Sequence, residues 1–187
     1  MARVIYGGMG VSLDGYVEDE SGNFEWSRPG EEVHRRANEV AAQASAFLYG
    51  RRMYELMEGF WPNAAAGREE GGEVEAEFAR AYVDTPRIVF SDSLESVSKD
   101  ARLVRHSEAI DEVRGLKEQP GGPLALGGPG LAASLWDLID EVQLWLNPVV
   151  VGNGKPFFPP DAGRTDLRLL EQTEYPGGVM WLRYERV

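Results

Sequence analysis

The run Pro123-Leu124-Ala125-Leu126-Gly127-Gly128-Pro129-Gly130-Leu131-Ala132-Ala133-Ser134-Leu135-Trp136 joins an apolar stretch, a glycine-rich turn and a helix-forming stretch without a break. Gln119-Pro120-Gly121-Gly122 precedes it as a stop signal, so Pro123 to Leu126 reads as a short buried strand. Leu131 and Leu135 stand four residues apart and share one face of the helix that follows. A strand that turns through two glycines into a helix is the building unit of a parallel α/β sheet. It also leaves the first N–H groups of the helix unpaired at the carboxyl end of the strand. A phosphate placed there gains hydrogen bonds and a favourable dipole, and glycine lets it approach closely. Taken alone, a Gly-Gly pair is equally an ordinary tight turn.

The rest of the chain supplies the same unit repeatedly. Residues 3 to 11 are rich in β-formers with glycine interruptions, and Asp14-Gly15 follows as a turn, which predicts a central first strand. Val33, Ala37, Val40, Ala41 and Ala44 recur at helical spacing over Glu31 to Ala44. Ala46 to Tyr49 then reads as a buried strand, and after Gly50 the helix formers Arg51 to Met57 begin where it stops. Residues 62 to 73, with Pro62, Gly67, Gly71 and Gly72, predict a mobile loop. A helix over Glu73 to Tyr82, strands at Arg87 to Phe90 and Arg102 to Arg105, and a helix over Ala109 to Lys117 follow. From Glu141 to Val151 the pattern alternates and then runs apolar. Asp166 to Tyr175 and Gly178 to Val187 form a hairpin around Pro176-Gly177-Gly178. The expectation is one α/β domain over residues 1–187, with a mixed, mostly parallel sheet, helices on both faces and a C-terminal antiparallel hairpin.

Charge and composition narrow the function. The chain carries 31 acidic and 19 basic residues, a net charge of −12, which repels a polyanion and argues against nucleic acid. A local pair of arginines still suits one small phosphorylated ligand. Cysteine is absent, and the two histidines, His34 and His106, form no ligand pattern, so no metal site is expected. Met1 to Tyr6 has no secretory h-region, and apolar runs such as Val149 to Val151 are far too short for a membrane span, which predicts a cytoplasmic protein without a membrane partner. The acidic group Glu69, Glu70, Glu73, Glu75 and Glu77 reads as a solvated face.

Two further junctions resemble the first in chemistry. Gly50-Arg51-Arg52 is a strand-to-helix turn with cations, and Ser91 places a hydroxyl after another strand. Ligands of α/β sheets lie beyond the carboxyl ends of the strands, where all three junctions fall. Trp26, Tyr54, Phe60 and Trp61 are either walls of a pocket for a flat ligand or core packing. Asp14 is either a turn aspartate or a proton-handling group.

Five stretches also carry a family resemblance. They are Ser12-Leu13-Asp14-Gly15-Tyr16, Leu48-Tyr49-Gly50-Arg51-Arg52-Met53-Tyr54-Glu55, Val89-Phe90-Ser91, Leu126-Gly127-Gly128-Pro129-Gly130-Leu131, and the run from Asn147 to Phe158. In this order they resemble the dihydrofolate-reductase-like family, specifically free-standing relatives of the reductase domain of the bacterial bifunctional riboflavin-biosynthesis deaminase-reductase. The resemblance implies a three-layer fold, a homodimer and NADPH as cofactor, with NADH as the other possibility. It implies that Gly127 and Gly128, often joined by a cis peptide in such proteins, cradle the pyrophosphate together with Gly130 and Leu131. Gly50, Arg51, Arg52 and Met53 would hold the adenosine side, and Ser91 would lie near the 2′-phosphate. Asp92 stands where relatives often place an arginine, which leaves the nucleotide preference open.

Asp14 would then serve hydride transfer to a carbonyl or imine of a small heterocyclic substrate, in a pocket walled by Trp26, Tyr54 and Trp61. The alternative is a nucleotide-binding protein that keeps the fold without the chemistry. The riboflavin step itself is disfavoured, since the zinc-binding pattern of the deaminase half is missing. Dihydrofolate reduction is disfavoured for lack of an evident carboxylate in the first long helix, with Glu31, Glu32 and Glu39 leaving the point open.

Overall fold

The computed structural model describes residues 1–69 and 71–187; Glu70, read above as part of a solvated acidic face, lies outside the described residues. Nine strands, numbered in chain order, build one sheet. Across it lie β10 (Leu167–Tyr175), β11 (Val179–Arg186), β8 (Glu141–Asn147), β1 (Val4–Tyr6), β7 (Leu124–Gly127), β4 (Ala46–Gly50), β5 (Arg87–Phe90) and β6 (Ala101–Val104), while β2 (Gly10–Ser12) continues β1 alongside β8. All pairings from β8 through β6 are parallel, and β11 and β10 close the sheet antiparallel. The mixed, mostly parallel sheet with its terminal hairpin is the fold class expected from the sequence.

Side-chain alternation along the strands assigns the two faces. Val4, Tyr6, Leu48 and Leu126 pack with Ala109 and Val113 of α4 (Ala109–Glu118) and Leu131 and Ala132 of α5 (Pro129–Ser134). Phe47, Tyr49 and Val89 face the other way, against Tyr54 of α2 (Arg51–Ala65) and Tyr82 of α3 (Glu73–Asp84). On that same face Trp145 and Trp181 meet Val33 of α1 (Glu31–Ala41). Helices therefore cover both faces, and β5, buried at every position, is apolar after its first residue, Arg87. Among the described residues, no helix is long and apolar enough to cross a membrane.

Three local readings change. The helix beginning at Arg51 continues through Pro62 to Ala65, where the sequence predicts a loop from residue 62. Proline removes one intrahelical hydrogen bond. Trp61, its ring 4.4 Å from that of Phe78 on α3, holds the last turns in place, and Ala64 and Ala65 favour helix. Val149 to Val151 leaves the sheet as a loop tied to Leu13 and Asp14. A small antiparallel pair, β3 (Tyr16–Asp19) with β9 (Gly154–Pro156), was not visible in the sequence pattern.

The glycine interruption of the first strand is a bulge. Tyr6 pairs with Val142 and Gly10 with Trp145, so residues 7–9 oppose only residues 143 and 144. Gly8 adopts φ +82°, and a Cβ on Gly7 would lie 2.6 Å from the Gln143 carbonyl oxygen. Before the bulge β1 pairs with β7 up to Tyr6 and Leu126; after it, β2 pairs only with β8. The sheet thus parts beside β7 just where Gly127 and Gly128 begin.

Candidate functional site

A cleft of about 900 Å³ opens at this parting, between the apolar cluster under α1 and the one under α2. Gly8 and Met9 of the bulge and Gly10 of β2 line it, with Gly50 to Met53 at the start of α2 and Gly128 to Leu131 at the start of α5. Both strand-to-helix junctions singled out in the sequence therefore meet on one ligand-sized cavity at the carboxyl ends of β4 and β7.

The glycines are required by contacts. A Cβ on Gly127 would lie 2.9 Å from the Tyr49 ring. Gly128 adopts φ +94°, a conformation that L residues rarely adopt, and caps α5. The resemblance implied a cis peptide here; among the described residues there is none, and the positive φ of Gly128 makes the turn. Pro129 has no N–H, so the unpaired donors of the first turn of α5 are those of Gly130 and Leu131. Those of Arg51, Arg52 and Met53 are their counterparts on α2.

Charge in the cleft opposes that of the chain. Arg28, Arg51, Arg52 and Lys155 line it against Glu18 and Glu25, although the molecule carries −12 overall. Arg51 pairs with Glu55 (2.8 Å) and donates to Ser93 Oγ (3.1 Å). Arg52 grips Glu18 of β3 with both guanidinium nitrogens, at 2.7 and 2.6 Å. Ser91 lies beneath this corner and does not line the cleft: it is buried, and its hydroxyl oxygen accepts the N–H groups of Ser93 and Leu94. The hydroxyl facing Arg51 belongs to Ser93. Asp92 accepts the His106 N–H (3.0 Å) and so braces the segment that brings His106 to the cleft.

A flap borders the mouth. It comprises β3, residues 20–29 and β9, and contributes Val17, Glu18, Phe24, Ser27 and Lys155 to the lining. Ser27 sits directly on Gly10, where a Cβ would come within 2.3 Å of its own. Gly154, at φ +157°, lets β9 press on the Glu18 carbonyl, which a Cβ would meet at 1.9 Å. Sequence reading missed the flap, and the place of Lys155 in it, because its strands are three and four residues long and pair across more than a hundred residues; it also missed His106, which follows β6.

Asp14 anchors the flap from outside the cleft lining. Its carboxylate accepts hydrogen bonds from Ser12 Oγ (2.6 Å) and from the N–H groups of Gly152 (2.7 Å) and Val151 (3.2 Å). The Ser12 bond first, then those of Gly152 and Val151, hold its pKa below the usual carboxylate value. At neutral pH it is an anion with no proton to give. A group lowered in the fold stabilises above its unfolded pKa of about 3.9, and that contribution disappears as pH falls through the folded value. Asp14→Asn should therefore melt below the parent near pH 6 and converge on it below about pH 4. Melting curves that stay parallel down to the acid limit would contradict this.

The aromatic candidates divide. Trp61 lines the cleft. Tyr54 does not: it is buried, and its hydroxyl accepts the Ser98 N–H (2.8 Å). Trp26 folds back on its own loop, donating to the Asn23 carbonyl (3.2 Å). On α1 the residues facing the cleft are Val33 and Ala37; Glu31 pairs with Arg35 and Glu39 with Arg36 on the exposed side, and Glu32 is exposed. Among the described residues no group of three or more histidine, cysteine or carboxylate side chains is placed to hold a metal.

Comparison with known proteins matches this architecture. The chain is 27% identical over 179 residues to the uncharacterized protein YyaP of Bacillus subtilis, covering 94% of this chain and 91% of that one. A Shewanella sp. PV-4 protein assigned to riboflavin biosynthesis superposes with a TM-score of 0.74 at 18% identity, over 100% of this chain and 99% of the other. A deaminase/5-amino-6-(5-phosphoribosylamino)uracil reductase from Thermotoga maritima gives 0.68 at 16% identity, and the chain spans 57% of its length. Dihydrofolate reductase from Enterococcus faecalis, complexed with NADP(H), gives 0.64 at 9% identity over 99% and 96% of the two chains. The family model described as the RibD C-terminal domain matches residues 3–181, and the chain belongs to that family.

Proposed function

We propose that this protein is an NADPH-dependent oxidoreductase that transfers a hydride to the carbonyl or imine carbon of a small heterocyclic or aromatic compound. One observation carries the reading. In a strongly acidic chain, two glycine-led helix starts and a surplus of basic side chains converge on a single cleft. Gly128, on the cleft lining at φ +94°, presents backbone without a side chain, which suits the close approach of a pyrophosphate, and Gly127 behind it is kept small by the Tyr49 ring. The N–H groups of Gly130 and Leu131, and Gly50 with Met53 opposite, would hold the two phosphates and the adenosine side. Arg51, with Ser93 beside it and Ser91 supporting both, would meet a 2′-phosphate; Arg52 stays engaged with Glu18. Family membership and the reductases among the structural neighbours support the same cofactor class.

A dihydronicotinamide bound in the cleft supplies the hydride. The chain's own part is to orient, to shield and to bring a proton. The flap would limit the access of bulk water to the cleft, and Asp14 positions the chain leading into it through residues 151 and 152. Because Asp14 lies outside the cleft lining, with its carboxylate held by Ser12, Val151 and Gly152, the proton for the receiving heteroatom would come from water at the cleft mouth. The same reading includes a homodimer, with the open edge of β10 as its contact.

Calorimetric titration of both dinucleotides tests the proposal. NADPH should bind in the micromolar range and NADH about tenfold more weakly, and Arg51→Gln should remove most of that difference. Binding of neither nucleotide would refute the reductase.

A further inference from the structure

The two ends of the cleft differ in chemistry. From Arg51 to Trp61, α2 rises about 15 Å, so its first turn and its later turns face different parts of a bound molecule. Around the first turn lie the glycine cradle, Arg51 and His106. Along the later turns the walls are Met57 and Trp61 of α2, Val33 and Ala37 of α1, Trp145 of β8 and Val179 of β11. The ring of Trp145 is stacked on Trp181 at 5.5 Å and that of Trp61 lies 4.4 Å from Phe78, so both indoles are held as fixed surfaces. Phe24 and Leu56, 41% and 49% exposed, also face the cleft.

What is missing from this end decides the substrate class. An aminopyrimidine or pterin ring presents a row of N–H donors that needs a carboxylate opposite it. The glutamates of α1 are turned outward, Glu31 and Glu39 into ion pairs with Arg35 and Arg36. The position they would have to occupy is filled by Val33 and Ala37. The charged flap residues here, Glu25 and Arg28, are exposed at the rim. The polar side chain deep in this end is Asn147, which is buried. Its amide donates one hydrogen to the Trp145 carbonyl (2.9 Å) and has a second N–H to offer an acceptor. A site of this kind gains from burying a flat apolar ring and loses from desolvating a charge.

We infer that this end of the cleft takes a neutral, flat, mainly apolar carbonyl compound of the aryl ketone class, with its oxygen toward Asn147, and excludes aminopyrimidines and pterins. The inference deepens the reductase reading and rests on it for the chemical step. In that step the carbonyl carbon would accept a hydride from a reduced nicotinamide, leaving it oxidised, the π pair would move to oxygen, and one proton from water would complete the alcohol.

Calorimetry on the cofactor-free protein with three probes tests the binding half directly: 2-acetylnaphthalene, folate and 2,4-diaminopyrimidine. The ketone should bind at least about tenfold more tightly than either of the others. Met57→Asp, at a half-buried position, should weaken the ketone by at least about tenfold, as should Trp61→Ala. Val33 is avoided because it is buried against Trp145 and Trp181. Melting temperatures of both variants verify that they fold. Folate or the diaminopyrimidine binding as tightly as the ketone, no ketone binding up to its solubility, or variants that bind the ketone like the parent would each overturn the inference. If NADPH binds but folate is preferred, the substrate class alone is refuted; if the ketone binds and no dinucleotide does, the cofactor reading alone is refuted.

Discussion

Gly128→Val should yield a folded protein whose affinity for NADPH is lower by about a hundredfold or more. Gly128 stands at φ +94°, where a β-branched residue is strained by about 1 to 3 kcal/mol. Its Cβ would lie 3.4 Å from Met53 Cβ, a tight approach that a small adjustment of Met53 relieves. In a chain of 187 residues the strain corresponds to a fall in melting temperature of roughly 2 to 12 °C, which leaves the protein folded at 25 °C. The larger loss is in binding. The side chain fills the space through which a pyrophosphate would approach the N–H groups of Gly130 and Leu131, and the turn that aims those groups relaxes. Titration calorimetry beside a thermal melt separates the two effects. A variant that melts lower but binds NADPH as the parent does would show that the Gly127-Gly128 turn is only a turn.

Arg183→Met should cost about 3 to 5 kcal/mol of stability, the largest loss expected from a single replacement outside the cleft. Glu141 is 1% exposed, on the central strand β8. Burial pushes its carboxyl pKa up. Hydrogen bonds from Arg183 and Gln143, with the charges of Arg183 and Arg3, outweigh burial and hold it below the usual value. Arg183 supplies most of this, through Nε to Oε1 at 2.8 Å and Nη2 to Oε2 at 3.2 Å, while also reaching Glu171. Without it the carboxylate keeps Gln143 at 2.9 Å and Arg3 at 3.7 Å. That is too little for an ion so deep, and the folded pKa should rise above the unfolded value of about 4.3. The sign of the linkage then reverses: the variant's deficit shrinks as pH falls through the raised pKa, because the protonated acid is tolerated. Adding Glu141→Leu should recover most of the loss, since an apolar pair of similar volume avoids both desolvation costs. Urea unfolding at pH 7 and pH 5 reads both effects. A deficit under about 1 kcal/mol at pH 7 would mean that the ion pair is solvated and of little consequence.

The elements that a local pattern encodes were legible in the sequence. Leu124 to Gly127 turning into α5, Ala46 to Gly50 turning into α2, and the hairpin of β10 and β11 all lie where spacing and glycine placed them. The elements that depend on distant partners were not. The bulge at residues 7–9 exists because β1 must pair with β7 and β2 must not, and nothing near Gly7 and Gly8 in sequence states this. The flap pairs Tyr16 with Pro156 and Asp19 with Gly154, strands too short to show a period. Continuation of α2 past Pro62 depends on Trp61 meeting Phe78 of α3, a tertiary contact overriding a local breaker. At the site, residue types were read more reliably than roles. Ser91 and Asp14 offer suitable chemistry in sequence, yet the hydroxyl is committed to turning residues 91–94 and the carboxylate to anchoring residues 151 and 152. His106 and Lys155 reach the cleft from segments whose sequence gives no sign of it.

Amide hydrogen exchange with and without NADPH tests the central claim, that the Gly127-Gly128 turn is one wall of a dinucleotide cleft. Slowed exchange is expected at residues 50–53 and 128–132, with a smaller effect on the flap at residues 16–28, and unchanged rates in the outer hairpin strand β10. Binding that leaves the two glycine-led helix starts unprotected, or protection confined to the polar groove between β6 and α4, would contradict it.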